Sequence, residues 1–121
     1  MRKLKITVLT ADAERLRGAL TLASAQAALG GGASLFLLLD AVALLRSPLS
    51  APRDAAHGEA GLPTLDMLLN ESLQLGVTIT ACQSGMALAG MTEQDLPRGV
   101  EAGGPIIFLQ GADDEDRLLV I

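Results

Sequence analysis

Among its 121 residues the chain has one cysteine, one histidine, two phenylalanines, and neither tryptophan nor tyrosine. A lone cysteine excludes an intrachain disulfide framework and suits a reducing compartment, so a cytoplasmic location is expected. One histidine and one cysteine are too few for a zinc site, which gathers its ligands in clusters. Phe36 and Phe108 are the only rings, which leaves little for stacking on nucleobases or on a flavin. Positive charge is also scarce: 9 Lys and Arg stand against 14 Asp and Glu, for a net charge of −5. A nucleic-acid partner, which needs a basic face to neutralise phosphates, is therefore not expected. No long apolar run is present either. The stretch that follows the basic start Met1 to Lys5 ends at Thr10 and is broken by Asp12, Glu14 and Arg15, too short and too charged for a signal peptide or a membrane span. Gly30-Gly31-Gly32 follows a helical pattern and precedes a strand pattern, the reverse of a phosphate-cradling loop, and no dinucleotide or Walker motif occurs. Neither a cofactor nor a metal is expected.

What is present is aliphatic. Half the chain, 50%, is hydrophobic, mostly Leu, Ala, Val and Ile, and its length suits one compact domain spanning residues 1–121. Leu4 to Thr10 reads as a first strand, with Asp12 placed to cap a helix in which Leu16, Leu20, Ala23 and Ala27 recur at helical spacing. The triple glycine stops that helix. Ala33 to Leu39 is continuously apolar, as expected of a strand covered on both faces, and ends at Asp40. Strand, helix, strand in that order predicts a right-handed parallel unit.

The middle of the chain is broken by Pro48, Pro52, Gly58, Gly61 and Pro63. After a helical turn within Ala41 to Arg46, the reading is a long loop, Ser47 to Leu62, of the kind that serves as a lid or binding segment or is simply mobile; in the non-enzymatic alternative below it covers a sheet-edge crevice. Thr64 caps a helix to about Leu75, with Leu65, Leu68, Leu69 and Leu73 inward. Val77 to Ala81 reads as another strand. Thr92 and Asp95 have capping-box spacing, and a short helical turn is expected there. For residues 105–110 two readings stand: Ile106 to Leu109 has strand propensity, whereas Pro105 after two glycines is a typical first helical residue. Leu118 to Ile121 reads as the last strand. The acidic run Asp113 to Asp116 reads as a solvated turn.

Cys82 lies where the strand Val77 to Ala81 meets Gln83-Ser84-Gly85 and a following helix. In a parallel sheet such turns line the ligand crevice, and unpaired N–H groups at the helix start favour an anion such as a thiolate. A free cysteine is also among the most buried residue types, so packing is the competing role. Asp12 and Asp40 end the first two strands and are expected on the same sheet edge, as binding residues or simply as caps. Ser84 either hydrogen-bonds a thiolate or caps a helix from Gly85. His57 is a conceivable base for Cys82, although a lone histidine among Gly, Ala and Pro is more often just exposed.

The run Ala81-Cys82-Gln83-Ser84-Gly85-Met86, continued by Gly90-Met91-Thr92, Asp95-Leu96, Gly99-Val100-Glu101 and Gly103-Gly104, resembles the DsrE/DsrF-like family. The resemblance implies an α/β fold, a single-domain flavodoxin-like three-layer sandwich with a mainly parallel sheet of about five strands. It also implies a short helix between Gly104 and Gly111, and a homo-oligomer, trimer or hexamer. In the sulfur-relay members a cysteine carries sulfur as a persulfide, and Cys82 matches that cysteine. On this reading Gln83, Ser84, Gly85, Gly103 and Gly104 line the site. The activity is at most that of a sulfurtransferase-like carrier, with a sulfur donor or acceptor protein as partner, because the chain has no second thiol to resolve a persulfide. The alternative is a non-enzymatic module that binds a small ligand or serves as a scaffold.

Overall fold

The computed structural model describes all of residues 1–121. Five parallel strands form one sheet: β1 (Leu4–Val8), β2 (Ala33–Leu37), β3 (Thr78–Cys82), β4 (Glu101–Gly103) and β5 (Arg117–Val120), in the order β4-β3-β2-β1-β5. The parallel three-layer arrangement expected from the sequence is the one formed. The weakest strand signal, Glu101–Gly103, is a strand that the sequence reading did not separate from its surroundings; three residues ending in glycine carry no periodicity of their own.

Helix α1 (Ala13–Ala28) begins where the Asp12 carboxylate accepts the N–H groups of Glu14 and Arg15, at 2.9 and 3.3 Å. Its buried stripe Leu16, Ala19, Leu20 and Ala23 faces the sheet, and Gly30 turns the chain away at φ +89°. Helix α3 (Leu65–Gln74) starts at the cap Thr64 and packs beside α1, where the hydroxyls of Ser24 and Ser72 meet at 2.6 Å. Helix α4 (Gln83–Ala89) follows β3 directly.

Connections from β1 through β4 all step the same way, so right-handed crossovers place α1, α3 and α4 on one face. That face buries Ile6, Val8, Leu35, Leu37, Ile79 and Ala81 completely. At about 1.5–3 kcal/mol for each large aliphatic side chain, this layer is the main source of stability. The last connection runs back past β3, β2 and β1, and its helix α5 (Pro105–Gln110) lies on the opposite face. Residues 105–110 are thus helical, with Gly104 at the cap and Pro105 in the first turn. Strand propensity loses here because β5 is parallel to β1, and a parallel return needs a crossover.

The segment between β2 and β3 differs from the long loop expected. It opens with a 3-10 helix, Leu39–Leu45, and contains helix α2 (Asp54–Glu59). Proline and glycine on either side hid this short helix, which is held by tertiary bonds and buries none of its own residues. The Arg17 guanidinium, 7% exposed, donates to Asp54 at 2.8 Å, to Glu14 at 3.0 Å and to the Pro63 carbonyl at 2.9 Å. Asp54 also accepts the backbone N–H groups of Ala51 and Leu65. The segment is therefore strapped to α1.

Candidate functional site

Cys82 is the last residue of β3 and the cap position of α4. Side chains alternate along a strand, and register puts Phe36 beside Thr80 and Cys82 beside Gly103. Thr80 and Cys82 therefore share the face that carries Phe36, the face under α5. A Cβ built on Gly103 would come within 2.8 Å of the Thr80 methyl, which confirms that both positions point the same way. Gly103, paired with Cys82, thus makes room for the Thr80 methyl. The thiol is 2% exposed.

The strand-end edge brings the expected residues close in the fold but gives them different work. Asp40 stands exposed in the first turn of the 3-10 helix, one strand over from Cys82. Asp12 is a further strand away, and its carboxylate is occupied in capping α1. Gln83 and Ser84 are exposed in the first turn of α4. Ser84 does not cap that helix: α4 starts at Gln83, two residues before the expected Gly85, and no side chain caps it. With only seven residues, α4 adds a weak dipole at its start. Gly104 caps α5 with open space around it.

Gly85 has a strict steric role. A Cβ there would lie 2.9 Å from the Cα of Leu39 and run into the Leu39 carbonyl. Leu39 itself has φ +49°, the only residue other than glycine with positive φ. Backbone strain of this kind concentrates at functional sites, and seven residues is long for a 3-10 helix. At its other end the 3-10 helix is tied to α4 by Arg46, which donates to the Ala89 carbonyl at 3.1 Å and pairs with Asp95 at 3.7 Å.

His57 is not near the thiol. Its Nε2 lies 3.2 Å from both carboxylate oxygens of Glu14 on α1. Burial alone would raise the Glu14 and Asp54 carboxyls. The His57 and Arg17 hydrogen bonds to Glu14, and those of Leu65 and Arg17 to Asp54, outweigh it and hold both groups below their ordinary range. Sequence reading missed this cluster. Its signal was an arginine lodged in an apolar stripe, between Leu16 and Leu20.

The two rings of the chain also find each other. Phe108 on α5 stacks on Phe36 with centroids 5.0 Å apart and planes 18° from parallel, and the Lys5 ammonium lies 4.9 Å from the Phe108 centroid. Next to the Cys82 turn lies a cleft of about 260 Å³ bounded by Gln83, Met86, Met91 and Ala102. Met86 and Met91 are largely buried, as packing residues would be.

Among solved structures, the ychN protein from E. coli superposes with a TM-score of 0.76 at 20% identity, covering 100% of both chains. MTH1491 from Methanobacterium thermoautotrophicum, a protein of unknown function, gives 0.70 at 14% identity, again over 100% of both chains. BT1422 from Bacteroides thetaiotaomicron, also of unknown function, gives 0.65 at 21% identity over 97% of this chain and 94% of that one. At these identities the likeness is one of fold. No curated protein matches the chain. Residues 4–121 match the family model described as DsrE/DsrF-like, which spans all five strands and the Cys82 turn, and the chain belongs to that family.

Proposed function

We propose that the chain is a cytoplasmic, homo-oligomeric sulfur carrier that loads sulfane sulfur on Cys82. The supporting observation is the position of the sole cysteine: it ends β3 of a DsrE/DsrF-like fold at the start of α4, paired with Gly103 and three residues before Gly85, which lies against the positive-φ Leu39 backbone. In the loading step the Cys82 thiolate attacks the outer sulfur of a hydropersulfide, R–S–SH. The S–S bond of the donor breaks, Cys82–S–SH forms, and R–S⁻ leaves. A thiolate on an acceptor then attacks the terminal sulfur and regenerates the Cys82 thiolate. No second cysteine exists to discharge the persulfide within the chain, so the acceptor is a partner protein or a small thiol. Intact mass after incubation with a small-molecule hydropersulfide should show a one-sulfur adduct that is absent from Cys82→Ala. A native protein that takes up no sulfur from any such donor would overturn the reading.

The exposed aliphatic side chains Ile106, Ile107, Leu118 and Val120 support assembly with further copies of the chain, as does family membership. Light scattering that gives a monomer at all working concentrations would contradict assembly.

One observation favours the alternative, a non-enzymatic binding or scaffold module: the thiol is 2% exposed. Under that reading Cys82 is a packing residue. It then resists alkylation in the folded protein for as long as the protein stays folded.

A further inference from the structure

Where the segment between β2 and β3 is strapped to α1, two cavities of about 240 and 500 Å³ adjoin at Arg17, Thr21 and His57, residues that wall both. The smaller is bounded by Leu62, Pro63 and Leu68, and the larger runs along α1 past Glu14, Gly18 and Leu22 to Ile121. Neither shares a residue with the cleft beside Cys82. Gly18 lies in the interior of α1, where glycine is costly, yet a Cβ there would meet nothing within 4 Å. No packing within the chain calls for that glycine; its bare backbone leaves the wall of the larger cavity open. Leu22 and Leu62 remain half-exposed, so the crevice offers apolar surface beside its charged groups.

We propose that this crevice binds an organic ammonium ion with a compact apolar body, the ammonium held by Glu14 and His57 and the body lying along Gly18 and Leu22. The charges select a cation. Two carboxylates, Glu14 and Asp54, surround the single Arg17 guanidinium, which is already engaged by both of them and by the Pro63 carbonyl, so no cation is left over for an anion. Arg15, on the wall of the larger cavity, pairs with Asp12 at 4.0 Å. Glu14 keeps 44% of its side chain open to solvent and can accept a further donor. An ionised carboxylate only accepts, so His57 Nε2, 3.2 Å from both Glu14 oxygens, carries the hydrogen between them. The neutral ring then presents Nδ1, which has no partner within the chain, as a second acceptor for an N–H donor. The site is separate from Cys82 and stands whether or not Cys82 carries sulfur.

The test is a titration of the native full-length protein with benzylamine, a cation at neutral pH, followed by the backbone amide resonances of Gly18, His57 and Leu62 in ¹H–¹⁵N spectra. Saturable shifts are expected with benzylamine and none with benzoate, which has a similar body and the opposite charge. Glu14→Gln removes the charge that holds the ammonium, leaves the Arg17–Asp54 bond in place, and should weaken binding about tenfold or more. Gly18→Leu fills the larger cavity from a position with open space around it and should weaken binding at least as much, with a melting temperature at or above that of the wild type as proof of fold. Wild-type binding in either variant, equal binding of benzoate, or no saturable shift up to about 10 mM benzylamine would each overturn the site.

Discussion

The backbone of Leu39 occupies the space that a side chain at position 85 would need. Because the obstacle is backbone, the neighbour cannot swing aside as a flexible side chain would. Gly85→Ala should therefore cost about 1–3 kcal/mol, the range for forced overpacking, even though alanine is the better helix former. Urea denaturation of the variant measures this. A stability equal to or above wild type would show that the 3-10 helix and α4 can separate freely.

Leu39 predicts the opposite for glycine. At φ +49° a leucine is strained by about 1–2 kcal/mol, while glycine adds about 0.5–1 kcal/mol of chain entropy to the unfolded state. Leu39→Gly should thus be neutral or slightly stabilising, whereas Leu39→Val, β-branched and less tolerant of positive φ, should lose at least about 1 kcal/mol. Equal loss in both variants would mean that the half-exposed side chain of Leu39, and not its backbone, matters to the turn.

Much of this architecture is legible in the residues themselves. Asp12, Thr64 and the Thr92–Asp95 pair cap helices where their spacing predicts, and the apolar stripe from Leu16 to Ala23 faces the sheet. These features are local, encoded within one helical turn or two. What is not legible is long-range. Arg17 joins Asp54 across 37 positions, and Phe36 meets Phe108 only because the last connection reverses across the sheet. Helix α2 is hidden for the same reason, since its anchor is a side chain on another helix. At Cys82 the sequence locates the turn, but the side of the sheet that α5 occupies follows from strand order.

The Arg17 cluster gives the protein a dependence on acid. Glu14 and Asp54 are held below their ordinary values of 4.5 and 3.8 in the folded chain. A carboxyl with a depressed folded pKa stabilises fully above its unfolded value and loses that contribution as pH falls through the folded one. Stability should therefore be level from neutral pH to about 5 and decline below about 4.5. Arg17→Met should cost about 2 kcal/mol at pH 7, less than a fully buried pair because its partners keep contact with solvent, and should flatten the acid decline. Thermal melts of both proteins from pH 7 to pH 3 check this. An unchanged slope in Arg17→Met would place the acid sensitivity elsewhere.

Lys5 is buried to 9% exposure between the sheet and α5, with the Ser34 hydroxyl at 3.4 Å and the Phe108 ring as its neighbours, and no carboxylate within ion-pair range. Desolvation of the ammonium offsets the attraction of the ring. Lys5→Met keeps the length and removes the charge, and should change stability by less than about 1 kcal/mol. Lys5→Glu puts a carboxylate against the ring face and should cost several times more. Parallel denaturation curves for the two variants decide between charge and bulk as the reason for a lysine here.

Cys82 can be tested as a core residue before it is tested as a carrier. If its surroundings are as apolar as its 2% exposure implies, Cys82→Ala removes one sulfur atom and should cost about 1 kcal/mol through the small cavity left behind. Cys82→Ser keeps the volume but buries a hydroxyl without a strong partner, a penalty of about 1–3 kcal/mol. The expected order of stability is wild type, then alanine, then serine, read from urea midpoints. Serine above alanine would mean that the thiol already sits among polar groups or water, which is the setting a persulfide anion needs. The same pair of variants therefore ranks the packing role against the carrier role without any sulfur donor, and identifies alanine as the variant in which loss of sulfur uptake is least confounded by loss of fold.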